Sequence, residues 1–200
     1  IKSMPFLSHK KLLQSHIFMT QKGHAFNPDD EAYMRMFNEY FGGGFSGILK
    51  QEIREYRSLA YATSGAYRNS NNPTVNNYFF TYIGCQADKT NEAVKITYDL
   101  LQNIPEKKER IEGLREKVIQ SSLNEYPSFR DLSEKVEWWK NHNYQTDPNK
   151  FLIKEYESIG MGELKKFYEF HISEPKTSIN IYGDLKRIDL EELKKIAKTR

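Results

Sequence analysis

The chain has 200 residues, a formal net charge of +3 and a hydrophobic fraction of 38%, which is typical of one domain, with or without a terminal extension, that buries its own core. Lys and Arg alternate with Asp and Glu and form no concentrated basic face, so nucleic-acid binding is not expected. No run approaches eighteen uninterrupted apolar residues, so we expect a soluble chain without a membrane span.

The first part of the chain predicts a strand, two helices and a hairpin. Residues 14–21 alternate in polarity, with Ile17 and Met19 on one face. A helix follows Asp29 and Asp30, which suit its first turn, and ends in three glycines at 42–44. A second helix is predicted over 46–57. Two strand-like runs, 60–68 and 77–87, flank the turn-forming residues 69–74 and therefore predict an antiparallel hairpin. The apolar residues of the first helix recur at helical spacing and are Tyr33, Met36, Phe37, Tyr40 and Phe41.

The second part is helical up to residue 172. Apolar stripes predict helices starting near residues 89, 106 and 129, and two more open near Pro148 and Glu163. A strand over 178–182 and a helix over 190–198, capped by Asp189, close the chain. The third stripe consists of Phe129, Leu132, Val136 and Trp139. We expect Trp139 to lie in the core and Trp138 to be half-buried surface, rather than the pair to form a binding platform.

This order predicts an α+β fold, a largely antiparallel sheet with helices packed on one face. We expect one domain over residues 1–200. Its strand-helix-helix-hairpin core runs to about residue 88, the helical block covers 89–172, and the closing strand and helix cover 177–198.

Self-contained catalytic chemistry is not visible in the sequence. None of the five histidines has a second histidine three or four residues away, so neither a metal nor a cofactor site is expected. His171 lies on an apolar helical stripe and is predicted to be structural. Cys85, the only cysteine, lies in the strongest predicted strand and is expected to be an inert packed thiol. The Gly42–Gly47 region lacks the Gly-Lys-Ser/Thr ending of a phosphate-binding loop, and its glycines are typical of a helix end and a tight bend.

One constellation is more specific. The segment 38–47, Asn-Glu-Tyr-Phe-Gly-Gly-Gly-Phe-Ser-Gly, is followed by a helix carrying Arg54 and by a strand that begins with Leu59-Ala60-Tyr61. This pattern resembles the second half domain of the pitrilysin/insulinase/mitochondrial processing peptidase family of zinc metallopeptidases. Tyr182-Gly183-Asp184, closing a strand before the last helix, also matches the usual ending of that family. The similarity covers nearly the whole chain in element order.

The resemblance implies a function that the residues alone do not. Family members have two homologous halves that close around a peptide, and the first half carries His-x-x-Glu-His, whose histidines bind zinc and whose acid activates water. This chain is similar only to the second, non-zinc half. By that resemblance, Tyr61 would donate its hydroxyl to the oxyanion at the scissile carbonyl, and Arg54 would bind a substrate backbone carbonyl. Zinc is then expected in a partner half, on the same polypeptide or a separate subunit, and a peptide is the expected substrate.

Two alternatives stay open. Arg57 lies four residues before Tyr61 and is the competing arginine, although the seven-residue spacing favours Arg54. A non-catalytic structural or assembly module of the same fold is the competing function. Cleavage specificity and compartment are not indicated by the sequence.

Overall fold

The computed structural model describes residues 5–173 and 176–198 of the chain. Within these residues five strands form one sheet: β1 (Phe6–His9), β2 (Gln14–Lys22), β3 (Ala60–Arg68), β4 (Tyr78–Gln86) and β5 (Thr177–Gly183). Their spatial order is β1-β5-β2-β4-β3. The β1–β5 pair is parallel and the other three pairs are antiparallel. The sheet is therefore largely antiparallel, as predicted.

The helices are α1 (Glu31–Gly42), α2 (Ile48–Lys50), α3 (Thr90–Gln102), α4 (Ile111–Asn124), α5 (Leu132–Asn141), α6 (Asn149–Ser158), α7 (Met161–Tyr168) and α8 (Leu190–Lys198). Two π-helical turns, Gln51–Glu55 and Glu169–Ser173, extend α2 and α7. Short 3₁₀ turns cover Pro28–Asp30, Ala87–Lys89, Lys108–Arg110 and Leu185–Arg187. None of the helices in the described part of the chain has the length and apolar content that crossing a membrane requires.

The two sides of the sheet differ in burial. On β2, Ile17 and Met19 are fully buried, whereas Phe18 between them is exposed. The buried side packs against the helices, and Phe41 of α1 meets Phe79 of β4 edge-on at a ring-centroid distance of 5.6 Å. Burying each such aromatic ring stabilises the fold by roughly 1.5–3 kcal/mol. The helices thus cover one face, which confirms the predicted α+β class and leaves what we call the open face, the side of the sheet that carries His16, Phe18 and Tyr82.

Three features differ from the expectations. The sequence did not predict β1, because its four residues show no buried alternation and gain their strand geometry from pairing with β5. The second predicted helix is only three residues of α-helix followed by a π-helical turn. Helix α5 forms as predicted, but its apolar stripe is not buried.

The stripe of α5 was expected to face the core, and that expectation was wrong. Trp139 is only partly buried, and Phe129 lies before the helix with 93% of its surface exposed. The ring of Trp138 instead stacks on His142 at a centroid distance of 4.0 Å and meets Phe26 edge-on. These ring contacts connect α5 to the rest of the fold. The spacing of the apolar residues therefore predicted the helix correctly, but not which of its side chains pack against other elements.

Candidate functional site

Tyr61 lies on the open face of the sheet. The ladder between β3 and β4 slips between Ala60 and Ala62, so Tyr61 occupies a bulge. Bulges re-aim side chains and are common beside active sites. The ring of Tyr61 passes over Gly84 of β4, where a Cβ atom would approach its hydroxyl oxygen to 2.6 Å. Gly84 is paired with His16, so the ring of Tyr61 shares the face of that histidine.

The Tyr82 phenol neighbours that of Tyr61 on the open face, and the Tyr82 hydroxyl lies 2.9 Å from Nδ1 of His16. Partial burial and, to a smaller extent, the neighbouring Tyr82 phenol raise the pKa of Tyr61 above its usual value. The Tyr61 hydroxyl therefore keeps its proton at neutral pH and is available as a hydrogen-bond donor, while 43% of the residue is exposed.

Arg54 and Arg57 have different contacts. Arg54 lies in the π-helical turn, and its closest ion-pair partner is Glu55 at 3.7 Å from Nε, too long for a hydrogen bond. Arg57 donates from Nη1 to the main-chain oxygen of Glu52 at 2.6 Å and to its Oε2 at 2.7 Å. Exposed pairs such as Arg54–Glu55 are worth little. Arg54 is therefore the arginine whose guanidinium is free to bind another group.

A tight turn connects Arg54 to β3. Ser58 has a φ of 52° and donates its N–H to the Arg54 oxygen, and Leu59 donates to the Ile53 oxygen. Leu59 itself is buried. This turn fixes where β3 leaves the helix and so positions both predicted site residues relative to the sheet. Among the described residues, no hydrogen bond or ion pair joins Arg54 directly to Tyr61.

The histidines do not fit a zinc site. His24 and His171 are neighbours, with ring centroids 5.2 Å apart, but His171 is bonded to the Tyr67 hydroxyl and paired with Asp30. His142 is buried with its two ring nitrogens on the main-chain oxygens of Trp138 and Ser70. Within residues 5–173 and 176–198, no group of three or more His, Cys, Asp or Glu is placed to hold a metal ion. These residues therefore do not fit the zinc of the family that the sequence resembles.

Cys85 is fully buried on the helix-facing side of β4, and burial raises the pKa of its thiol to about 11. Because the thiolate is the reactive form, we expect Cys85 in the folded protein to resist alkylation by iodoacetamide at pH 8. The unfolded protein should react within minutes. Mass spectrometry of the labelled chain measures both, and rapid labelling of the folded protein would contradict this inert role.

Three residues of the site were not singled out from the sequence. Gly84 and Tyr82 of β4 lie beside Tyr61, and His16 is paired with Gly84 across the β2–β4 ladder, a pairing that the sequence did not indicate. Alternation had placed His16 on the side opposite Ile17 and Met19. The sequence therefore indicated which face of β2 carries His16, but not which residues of the other strands lie next to it.

Comparisons with known proteins agree with this architecture. A family model described as the peptidase M16 inactive domain matches residues 3–118. An uncharacterized zinc protease of Streptomyces coelicolor is 31% identical over 97 residues, covering 48% of this chain and 20% of that protein. The chain thus spans about a fifth of the length of this relative.

Solved structures show the same fold at low identity. A peptidase M16 inactive domain from Pseudomonas fluorescens matches with a TM-score of 0.77 and 18% identity over 92% of this chain and 44% of that chain. A protease from Helicobacter pylori matches with a TM-score of 0.73 and 12% identity, over 91% and 44%. The periplasmic protease PqqL from Escherichia coli matches with a TM-score of 0.67 and 15% identity, over 92% and 20%. Each of these relatives extends well beyond the part that the chain covers.

Proposed function

Because the chain belongs to the peptidase M16 inactive domain family, we propose that it is the substrate-binding, non-zinc half of a zinc metallopeptidase. It forms a single half domain and closes, with a zinc-bearing half, around a peptide. The partner half is either fused to it or a separate subunit. This chain supplies binding and orientation, and the hydrolytic centre belongs to the partner.

The observation that carries the proposal is the Tyr61 hydroxyl held on the open face. Peptide hydrolysis develops negative charge on the scissile carbonyl oxygen, and a preorganised donor at that position lowers the barrier. The Tyr61 phenol keeps its proton because its pKa is raised. Its ring is supported by the sheet rather than by a mobile loop, which favours precise placement.

Aromatic side chains around Tyr61 suit the binding of a peptide. They lie on neighbouring strands of the open face and form close ring pairs, such as Phe18 and Tyr82 at a centroid distance of 5.0 Å. Exposed aromatic rings combine large apolar area with polar edges, as interfaces require. The aromatic residues of this face are Phe6, His16, Phe18, Tyr61, Tyr78, Phe80, Tyr82 and Tyr182.

The proposal that a zinc-bearing partner half exists is tested by reading the neighbouring gene sequence and by measuring peptidase activity. The reading frame of the parent protein, or of its operon neighbour, should contain His-x-x-Glu-His, and the full-length protein or complex should cleave unfolded peptides in a zinc-dependent way. If neither reading frame carries the motif and the complex has no peptidase activity, the proposal fails. The structural or assembly module then becomes the better description.

Arg54→Ala and Arg57→Ala distinguish the two arginines. We expect Arg54→Ala to raise KM or lower kcat about tenfold with little change in thermal stability, because its guanidinium has no strong intramolecular bond. Arg57→Ala should leave turnover nearly unchanged, since Arg57 is bonded to Glu52 within its own turn. Steady-state kinetics on the full-length protein measure both. The opposite pattern would assign the role to Arg57.

A further inference from the structure

We infer that the exposed side of α5 binds a second copy of this chain, through an antiparallel pairing of the two α5 helices across a two-fold axis near Ser133. The inference concerns assembly and does not depend on the proposed function. We call this side the α5 face, and its residues are Phe129, Arg130, Leu132, Ser133, Val136, Glu137 and Lys140.

The α5 face is apolar and open. Phe129 is 93% exposed and Leu132 is 43% exposed. Together with Val136 they follow the i, i+3, i+7 spacing of one helical side. They line a groove of about 740 Å³, and the residues that line it belong to α5 or to the turn before it. Since burial of such rings and aliphatic groups removes apolar area from water, this face favours contact with another surface.

Two opposite charges lie on one flank of the α5 face. Arg130 is in the turn that leads into α5, where the hydrogen bond from Lys135 to Asp131 already has helical spacing. Glu137 lies seven residues after Arg130, about two helical turns, so both side chains project from the same flank. Both residues are exposed. Within residues 5–173 and 176–198, neither side chain makes a hydrogen bond or an ion pair.

The flank of the α5 face is complementary to itself. A two-fold axis midway between Arg130 and Glu137 brings Arg130 of each copy beside Glu137 of the other, because antiparallel helices related by such an axis meet along the same flank. An isologous interface has this property, in which one surface patch binds its own copy. The charges of this flank therefore indicate a second copy of the chain as the occupant.

Ser133 lies at the centre of the pairing. Its small side chain allows the two helix axes to approach to the usual distance of roughly 8–10 Å. Phe129 of each copy then lies between Val136 and Lys140 of the other, and the aliphatic stem of Lys140 can cover the ring. A single pair of helices buries less than the roughly 1,600 Å² of a standard interface, so the dimer is weak and its population depends on concentration.

The first test measures the mass of the full-length protein. Sedimentation velocity over about 1–100 μM should show a shift from monomer to dimer. Phe129→Ser should remove the dimer. Phe45→Ser should retain it, because Phe45 is 77% exposed but lies outside the α5 face. A protein that stays monomeric at every concentration would overturn the inference, and this is also the result expected if another part of the parent polypeptide covers the α5 face.

The second test locates the two-fold axis by crosslinking. Cys85 is the only cysteine of this chain and is fully buried, so it should not crosslink in the folded protein. Ser133→Cys should form a disulfide between two copies under mild oxidation, and mass spectrometry identifies the linked peptide. Lys140→Cys is the matched control on the same face, because it lies about 10 Å further along the helix and the two copies are then about 20 Å apart. Crosslinking of Lys140→Cys but not of Ser133→Cys would contradict this axis.

The third test exchanges the charges of the flank. Arg130→Glu and Glu137→Arg should each weaken dimerisation about tenfold, because each change replaces two attractive pairs by two repulsive ones. The double variant should regain the dimerisation of the parent protein, since the pairs are then reversed but still opposite in sign. A different partner on the α5 face would not give this recovery. If the double variant dimerises no better than the single variants, the two-fold pairing of α5 is wrong.

Discussion

Replacing Tyr61 by Phe in the full-length protein is expected to lower kcat about 10²- to 10³-fold. The change removes one hydroxyl, and loss of a single preorganised oxyanion donor typically costs about 2.7–4 kcal/mol of transition-state stabilisation. KM should change little, because the charge that the hydroxyl binds develops only in the transition state. The measurement is steady-state hydrolysis of a fluorogenic peptide at saturating concentration.

Stability should not explain this loss of activity. Tyr61 is 43% exposed and its ring is retained in the variant, so the thermal unfolding midpoint should stay close to that of the parent protein. Tyr56→Phe is a suitable control, because Tyr56 is exposed, precedes Tyr61 by five residues and keeps its ring contact with Lys107. A Tyr61→Phe protein with undiminished kcat would exclude the hydroxyl from catalysis.

Gly42→Ala is expected to give the largest loss of stability. A Cβ atom at Gly42 would come 1.8 Å from the main-chain oxygen of Gly65, so α1 and β3 approach each other through two glycines. No side-chain rotation relieves a collision with backbone, and overpacking of this kind costs typically about 1–3 kcal/mol and occasionally more. We expect about 3 kcal/mol, which lowers the melting temperature by roughly 6–12 °C for a chain of this size.

Gly113→Ala is the matched control for Gly42→Ala. Gly113 also lies in a helix, but a Cβ atom there would meet nothing within 4 Å. Alanine should stabilise α4 by about 1 kcal/mol through its higher helix propensity. Differential scanning calorimetry of the two variants should therefore show shifts of opposite sign. A Gly42→Ala protein as stable as the parent would contradict the close approach of α1 and β3.

The three glycines at 42–44 gave a correct prediction from only part of the physical cause. The three glycines at 42–44 predicted the end of a helix, and α1 ends at Gly42. The stronger requirement at Gly42 is the contact with Gly65, which lies more than twenty residues further along the chain. Local sequence contains the conformational preference of a glycine but not the backbone that packs against it.

The same distinction applies to α5 and to the histidines. Periodicity predicted α5, yet its apolar stripe is not buried. A 3.6-residue repeat identifies the apolar face of a helix but not the elements that pack against that face. His171 was predicted to be structural, and its bond with Tyr67 agrees. Its closeness to His24 depends on how α7 and the segment after β2 meet, which no spacing in the sequence reveals.

The sequence by itself determined the α+β class, the alternation of β2, the hairpin of β3 and β4, and the two residues that resemble a family site, Arg54 and Tyr61. These features follow from local periodicity, turn-forming residues and short motifs, all of which involve residues close together in the sequence. Only the tertiary structure decided that Tyr61 lies in a bulge over Gly84, on the face where Tyr82 is hydrogen-bonded to His16. It also decided that Arg54 rather than Arg57 is free of a strong internal bond. Strand register and close backbone approach are long-range properties, set when the whole sheet pairs, so they are absent from any short stretch of the chain.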